Sequence, residues 1–131
     1  MALKASALKV GDTHKERVVE NLSRTQIVQY AGASGDYNPL HTDEVYTTQV
    51  GGYPSVFAHG MLTNFVGAGR LKKFGVRFTN QVWPGDTLDA TATVTAIRDE
   101  DGGKVVDLKL STANQDGKEV VTGTATARID L

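Results

Sequence analysis

Leu88-Asp89-Ala90-Thr91-Ala92-Thr93-Val94-Thr95-Ala96 alternates apolar and polar residues without a break. That period of two is the mark of a half-buried β-strand, with Leu88, Ala90, Ala92, Val94 and Ala96 on its inner face. The inner residues are mostly small, so a bulky element can lie close against the sheet. The chain offers one such element: Phe57-Ala58-His59-Gly60-Met61-Leu62-Thr63-Asn64-Phe65-Val66 is apolar on nearly every side, the pattern of a buried helix. The fold expected is α+β, a long antiparallel sheet wrapped around one buried central helix.

Outward from the quoted strand the same period recurs. Phe74, Val76 and Phe78 share a face, as do Val106, Leu108 and Leu110, and then Val121, Gly123, Ala125, Ala127 and Ile129. The turns are explicit at Pro84-Gly85-Asp86, Asp101-Gly102-Gly103 and Gln115-Asp116-Gly117, and the tight ones join antiparallel neighbours. The first half reads differently. Val10-Gly11-Asp12 forms a turn, and a strand is expected over Glu16–Leu22. Ser23 with Gln26 three residues on is a capping box for a helix that buries Ile27, Val28, Tyr30 and Ala31 and ends near Gly32–Gly35. Thr42 is expected to cap a short helix through Asp43, Glu44, Val45 and Tyr46, broken by Gly51-Gly52-Tyr53-Pro54. No linker, repeat or low-complexity tract divides residues 1–131, so one domain is expected.

Composition narrows the function. Lys and Arg total 14 against 15 Asp and Glu, a formal net charge of -1, which gives nucleic acid no electrostatic reason to bind. The chain has no cysteine, which excludes thiolate nucleophiles, disulfides and Cys-based zinc sites. Met1–Lys9 lacks the apolar core of a signal peptide, and no apolar run reaches the length of a membrane span. The expectation is a soluble, cytoplasmic protein.

The chemistry concentrates in Gly32-Ala33-Ser34-Gly35-Asp36-Tyr37-Asn38-Pro39-Leu40-His41. Gly35 permits a sharp bend, and Pro39 fixes its own dihedral while holding Asn38 extended. Such a stiff connection between two short helices holds Asp36 and His41 in fixed relation, both on irregular backbone. A carboxyl group and an imidazole sharing one water pass protons in opposite directions. Asn38 between them can orient either side chain or donate to a substrate oxygen. Each residue has a bland reading too: an Asp after Gly often serves a turn, and a His here simply precedes a helix cap. The Asp-x-Asn spacing does not continue as a calcium loop, and His41 with His59 has no defined metal-ligand spacing.

A second constellation is Ala58-His59-Gly60-Met61. At a helix start the first N–H groups lack partners and carry partial positive charge. Gly60 would let a carbonyl approach them closely, where an enolate-like charge would be stabilised. Gly60 also suits plain helix–sheet packing, and His59 also suits a structural role, bonded to a neighbouring carbonyl.

Together Gly35-Asp36-x-Asn38-Pro39-Leu40-His41 and Ala58-His59-Gly60-Met61 resemble the MaoC-like (R)-specific hydratases and dehydratases of the hot-dog fold. Val76-Arg77-Phe78-Thr79 and Val82-Trp83-Pro84-Gly85-Asp86 agree with that family's strand and turn. Within it the likeness is greatest to the catalytic subunit of the mycobacterial (3R)-hydroxyacyl-ACP dehydratase and to small bacterial (R)-specific enoyl-CoA hydratases. The resemblance implies Asp36 and His41 as the catalytic pair, supported by Asn38 and His59, and the Gly60 N–H as the thioester carbonyl site. It implies syn addition of water to an enoyl thioester, giving the (R)-3-hydroxyacyl product, or the reverse. It implies no metal and no cofactor, with coenzyme A or acyl carrier protein as part of the substrate. It also implies paired hot-dog chains, a homodimer or a heterodimer with another hot-dog subunit, while the near-neutral charge and the short apolar runs leave neither nucleic acid nor membrane expected as partner. Met61–Phe74 is shorter here than in many relatives, which points to a shorter or more open acyl pocket. Arg70, Lys72, Lys73 and Arg77 form a modest basic cluster suited to coenzyme A phosphates or an acidic carrier protein, or to solvated surface. A thioesterase on the same scaffold and a non-catalytic partner subunit are the competing classes.

Overall fold

The computed structural model describes residues 7–59 and 70–129. Along the chain run β1 (Thr13–Val19), α1 (Arg24–Ser34), α2 (Pro39–Thr42), α3 (Glu44–Gln49), β2 (Arg70–Phe78), β3 (Leu88–Glu100), β4 (Gly103–Ala113) and β5 (Glu119–Ile129). The five strands form one sheet in the order β1-β3-β4-β5-β2. Every pairing is antiparallel. No helix among the described residues is long and apolar enough to cross a membrane.

The turn chemistry sets this order. Asp101 and Gly102 both have positive φ, 50° and 75°, which closes β3 onto β4 with a two-residue loop whose twist matches that of the strands. The β4–β5 turn is held by Asn114, whose Oδ1 accepts from the N–H of Asp116 at 3.1 Å and of Lys118 at 3.0 Å. Pro84-Gly85-Asp86, in contrast, leads into β3 from a strand that is not its neighbour, since β2 pairs with β5.

Register lines up the inner stripe. Val94 lies opposite Leu108, Leu108 opposite Ala125, and Ala125 opposite Phe74. Val94, Val106, Leu108, Ala125 and Ile129 form one buried cluster. A second joins Leu22, Ile27, Ala58, Val82, Leu88, Val120 and Val121, and so seats α1 against one end of the sheet.

Several expectations shift by a residue or a face. The first strand runs over Thr13–Val19, not Glu16–Leu22, because Leu22 leaves the sheet to sit 2% exposed beneath α1. Ala96 is not on the inner face. Val94 pairs with Leu108 and Ala96 with Asp107, so Thr95 is the extra residue of a bulge, and Ile97 takes the inward place opposite Val106. The capping box of Ser23 and Gln26 forms as expected, but α1 buries only Ile27 and Ala31, a single i, i+4 row. Val28 lies off that row and is 56% exposed. Phe74 and Val76 are half-buried while Phe78, at the strand end, is exposed. Phe57, Ala58 and His59 are not helical, and the rest of the expected central helix, from Gly60, lies outside the described residues.

Candidate active site

The segment between α1 and α2 is built from nested local hydrogen bonds. Gly35 ends α1 in the left-handed region at φ 75°, its N–H donating to the Ala31 carbonyl. The Asp36 N–H then donates to Ser34 Oγ at 3.2 Å, the Asn38 N–H to Asp36 Oδ1 at 3.2 Å, and the Leu40 N–H to Asn38 Oδ1 at 3.0 Å. Asp36 thus spends one carboxylate oxygen on its own backbone turn and keeps Oδ2 for the site. Asn38 caps α2, with Pro39 at its first position. His41 therefore sits in a helical turn and not on irregular backbone. Thr42 closes that same turn, so the cap of α3 is Asp43, whose Oδ1 accepts from the Tyr46 N–H at 3.0 Å. Thr42 cannot serve both helices.

Asp36, His41 and His59 come together. Asp36 Oδ2 lies 4.0 Å from His41 Nε2 and 3.9 Å from His59 Nε2. The two imidazoles stack with centroids 3.9 Å apart and planes 28° from parallel. Side-chain exposure falls from 53% at Asp36 to 12% at His41 and 3% at His59, so a molecule entering from solvent reaches the carboxylate first.

Hydrogen bonds assign the imidazole tautomers. His41 Nδ1 is 2.7 Å from the Phe57 carbonyl. A carbonyl only accepts, so Nδ1 carries a proton, and in the neutral imidazole Nε2 then presents a lone pair toward Asp36. His59 Nε2 is 2.8 Å from the Asp36 carbonyl and by the same reasoning donates to it. The two residues read as a pair in the sequence are thus a trio, and the third member grips the backbone of the first. The ligand-type atoms of the trio all lie within 4.8 Å. Within it His59 Nε2 has no lone pair to offer a metal, since that nitrogen's proton goes to the Asp36 carbonyl.

Two further devices place the segment that carries the Phe57 carbonyl and His59. Glu44, in the first turn of α3, bonds Arg24 Nη1 at 2.5 Å and accepts from the Val56 N–H at 3.1 Å, while Arg24 also donates to Ser55 Oγ at 3.1 Å. The Arg24 hydrogen bond, with the Val56 N–H next, holds the Glu44 carboxyl below its ordinary pKa. Tyr53, Phe57 and Trp83 pack as an aromatic cluster, with Phe57 edge-on to both His41 and Trp83. The sequence reading missed these contacts. Arg24, Glu44 and Val56 have no motif spacing, and the decisive partner of His41 is a backbone carbonyl, which any residue supplies.

The other expected site residues fare unequally. Asn38 acts through backbone, as the cap of α2 and as the N–H donor to Asp36 Oδ1, and its own side chain bonds neither Asp36 nor His41 among the described residues. Gly60 lies outside the described residues, as does most of the short Met61–Phe74 segment. Arg70, Lys72, Lys73 and Arg77 are exposed along the edge strand β2, where Arg70 and Arg77 stand about 23 Å apart. Lys72 pairs with Glu100 at 2.6 Å. None of the four bonds to Asp36, His41 or His59 among the described residues.

Known proteins are similar to this chain in both fold and sequence. An (R)-specific enoyl-CoA hydratase of Rhodospirillum rubrum is 35% identical over 123 residues, covering 86% of this chain and 83% of that protein. The 3-hydroxyacyl-thioester dehydratase Y of Mycobacterium tuberculosis is 30% identical over 120 residues, 82% of this chain, although the chain spans only 39% of that relative's length. The R-hydratase PhaJ1 of Pseudomonas aeruginosa in its unliganded form superposes with a TM-score of 0.80 at 25% identity, covering 95% of this chain and 85% of that one. That likeness bears out the hot-dog fold implied by the family resemblance of the two motifs. The MaoC like domain family matches residues 6–116, and the chain belongs to that family.

Proposed function

We propose that the chain catalyses (R)-specific hydration of trans-2-enoyl thioesters to (3R)-hydroxyacyl thioesters, and the reverse dehydration. One observation carries the reading: His41 Nε2, which has a lone pair in the neutral imidazole, and Asp36 Oδ2 face each other at 4.0 Å. Both are acceptors, so the group that fits between them is a double donor. A water placed about 2.7 Å from each atom subtends an angle of roughly 95° at its oxygen, close to the angle between its own O–H bonds. Both of its hydrogens are then engaged, and an oxygen lone pair is turned away from the pair toward an incoming carbon.

In the hydration direction that water attacks C3 of the enoyl group and gives one proton to the pair, and the pair delivers a proton to C2. The C3–O and C2–H bonds form, the C2–C3 double bond is lost, and the pair ends with as many protons as it began. Both additions come from one side of the substrate, which is syn addition. The Gly60 N–H is our choice for the thioester carbonyl, where it would steady the charge that develops on oxygen.

The chemistry asks for no cofactor beyond the coenzyme A or acyl-carrier-protein thioester that brings the acyl group, and it suits a cytoplasmic setting. Arg70, Lys72, Lys73 and Arg77 are the groups we would test for carrier recognition. We place two hot-dog chains in the active assembly, two copies of this one by default and a second hot-dog subunit as the alternative. The test is loss of enoyl absorbance on mixing purified protein with crotonyl-CoA and with longer and bulkier thioesters, alongside its mass in solution. Absence of hydration across that series, alone and with a second hot-dog chain, would overturn the proposal. Release of free thiol instead would indicate a thioesterase.

A further inference from the structure

His59 is a buried polar side chain beside the pair whose bonds the hydration chemistry does not use. It is 3% exposed, its Nε2–H donates to the Asp36 carbonyl at 2.8 Å, and its ring lies on the ring of His41. Tyr30 closes over it with ring centroids 5.0 Å apart. Its Nδ1 is buried and has no partner among the described residues. Any buried imidazole needs a partner for its N–H; here that partner is the backbone of the acid that faces His41.

We infer that His59 is a positioning residue for the Asp36–His41 pair, an inference that rests on the hydratase reading above. Its hydrogen bond restrains the Asp36 backbone, and through it the direction of Oδ2. Its ring restrains the plane of His41, which the Phe57 carbonyl pins only at Nδ1. Asp36 is otherwise tethered by turn bonds to Ser34 and Asn38, both only two residues away in the chain. The bond from His59 is the one described link between that stretch and the chain 23 residues on.

The test separates donor from ring. His59→Phe keeps an aromatic face and loses the donor, while His59→Gln keeps a donor and loses the ring. The expected result is a loss in kcat of about ten- to a hundredfold for His59→Phe, the scale set by small misplacements of reacting groups. KM should stay within about threefold, since uniform binding is not what is removed. His59→Gln should recover much of the lost kcat. Nitrogen NMR shifts of the wild type should show His59 as the Nε2–H tautomer, and the Asp36 carbonyl carbon shift should move in His59→Phe and stay near wild type in His59→Gln.

Wild-type turnover in His59→Phe, equal losses in both variants, or an Nδ1–H tautomer in the wild type would each overturn the inference. The tautomer needs no variant to fold and no activity. Should the wild type fail to hydrate any thioester, the reaction reading falls while the NMR shifts still decide whether His59 holds Asp36.

Discussion

Thr47 offers a quantitative test of how the turn that carries His41 is held. Its side chain is fully buried, and its hydroxyl lies 2.6 Å from the Asp43 carbonyl and 3.0 Å from the Pro39 carbonyl, sharing one hydrogen between them. Pro39 opens α2 and Asp43 caps α3, so this one hydroxyl clasps the two helices together. In Thr47→Val a methyl group replaces it at nearly the same volume. Neither carbonyl is stranded: Pro39 still accepts from the Asp43 N–H at 2.9 Å, and Asp43 from the Thr47 N–H at 2.9 Å. The cost is then about 1 kcal/mol for one net hydrogen bond, not the larger penalty of an unsatisfied buried acceptor. A methyl carbon cannot approach an oxygen to 2.6 Å, and the required shift adds strain, bringing the total to about 1–2 kcal/mol. For a domain of this size that is a melting temperature roughly 3–8 °C lower. Chemical denaturation of both proteins, with equal slopes, measures it. An unchanged or raised stability would refute the clasp, and a loss above about 4 kcal/mol would mean that the carbonyls do lose their other partners.

Other perturbations probe different layers. In Gly123→Ala the added Cβ would lie 2.2 Å from the Gly75 carbonyl oxygen and 2.8 Å from Val76, so β5 and β2 must separate; thermal melting should show a loss of at least 1–3 kcal/mol, roughly the cost of overpacking. Ser23→Ala removes half of the capping box of α1 and should cost about 1 kcal/mol, read by the same melt. Glu44 gives a pH signature. Its folded pKa is lowered below the ordinary 4.5, so its contribution is fully present above that value and is lost as pH falls through the folded pKa. Stability measured against pH should therefore show Glu44→Gln below wild type at neutral pH, with the gap narrowing only once the pH drops below about 4.5.

What could be read from the sequence follows the range of each interaction. The Asp36–His41 pair was legible because Gly35, Asn38 and Pro39 act within a few residues of it. The inner faces of the strands were legible up to Thr95 and no further, because a bulge is a choice of register made by the neighbouring strand. Thr42 and Asp43 are both capping residues at adjacent positions. The choice between them depends on the helical turn that Asn38 starts, which uses up Thr42. His59 could be seen as a residue of interest but not as a donor to Asp36, since that contact spans 23 residues and ends on a backbone carbonyl. The basic side chains cluster in sequence and disperse in space, because an extended strand spreads them by about 3.3 Å per residue.

The central claim is that Asp36 and His41 share one water and add it across an enoyl thioester. The most direct measurement is crotonyl-CoA hydration by wild type, Asp36→Asn and His41→Ala, with chiral resolution of the product. The account predicts (3R)-hydroxybutyryl-CoA from the wild type, and in each variant a fall in kcat of about two to four orders of magnitude with the fold intact. Turnover by either variant near the wild-type rate, or formation of the (3S) product, would contradict it.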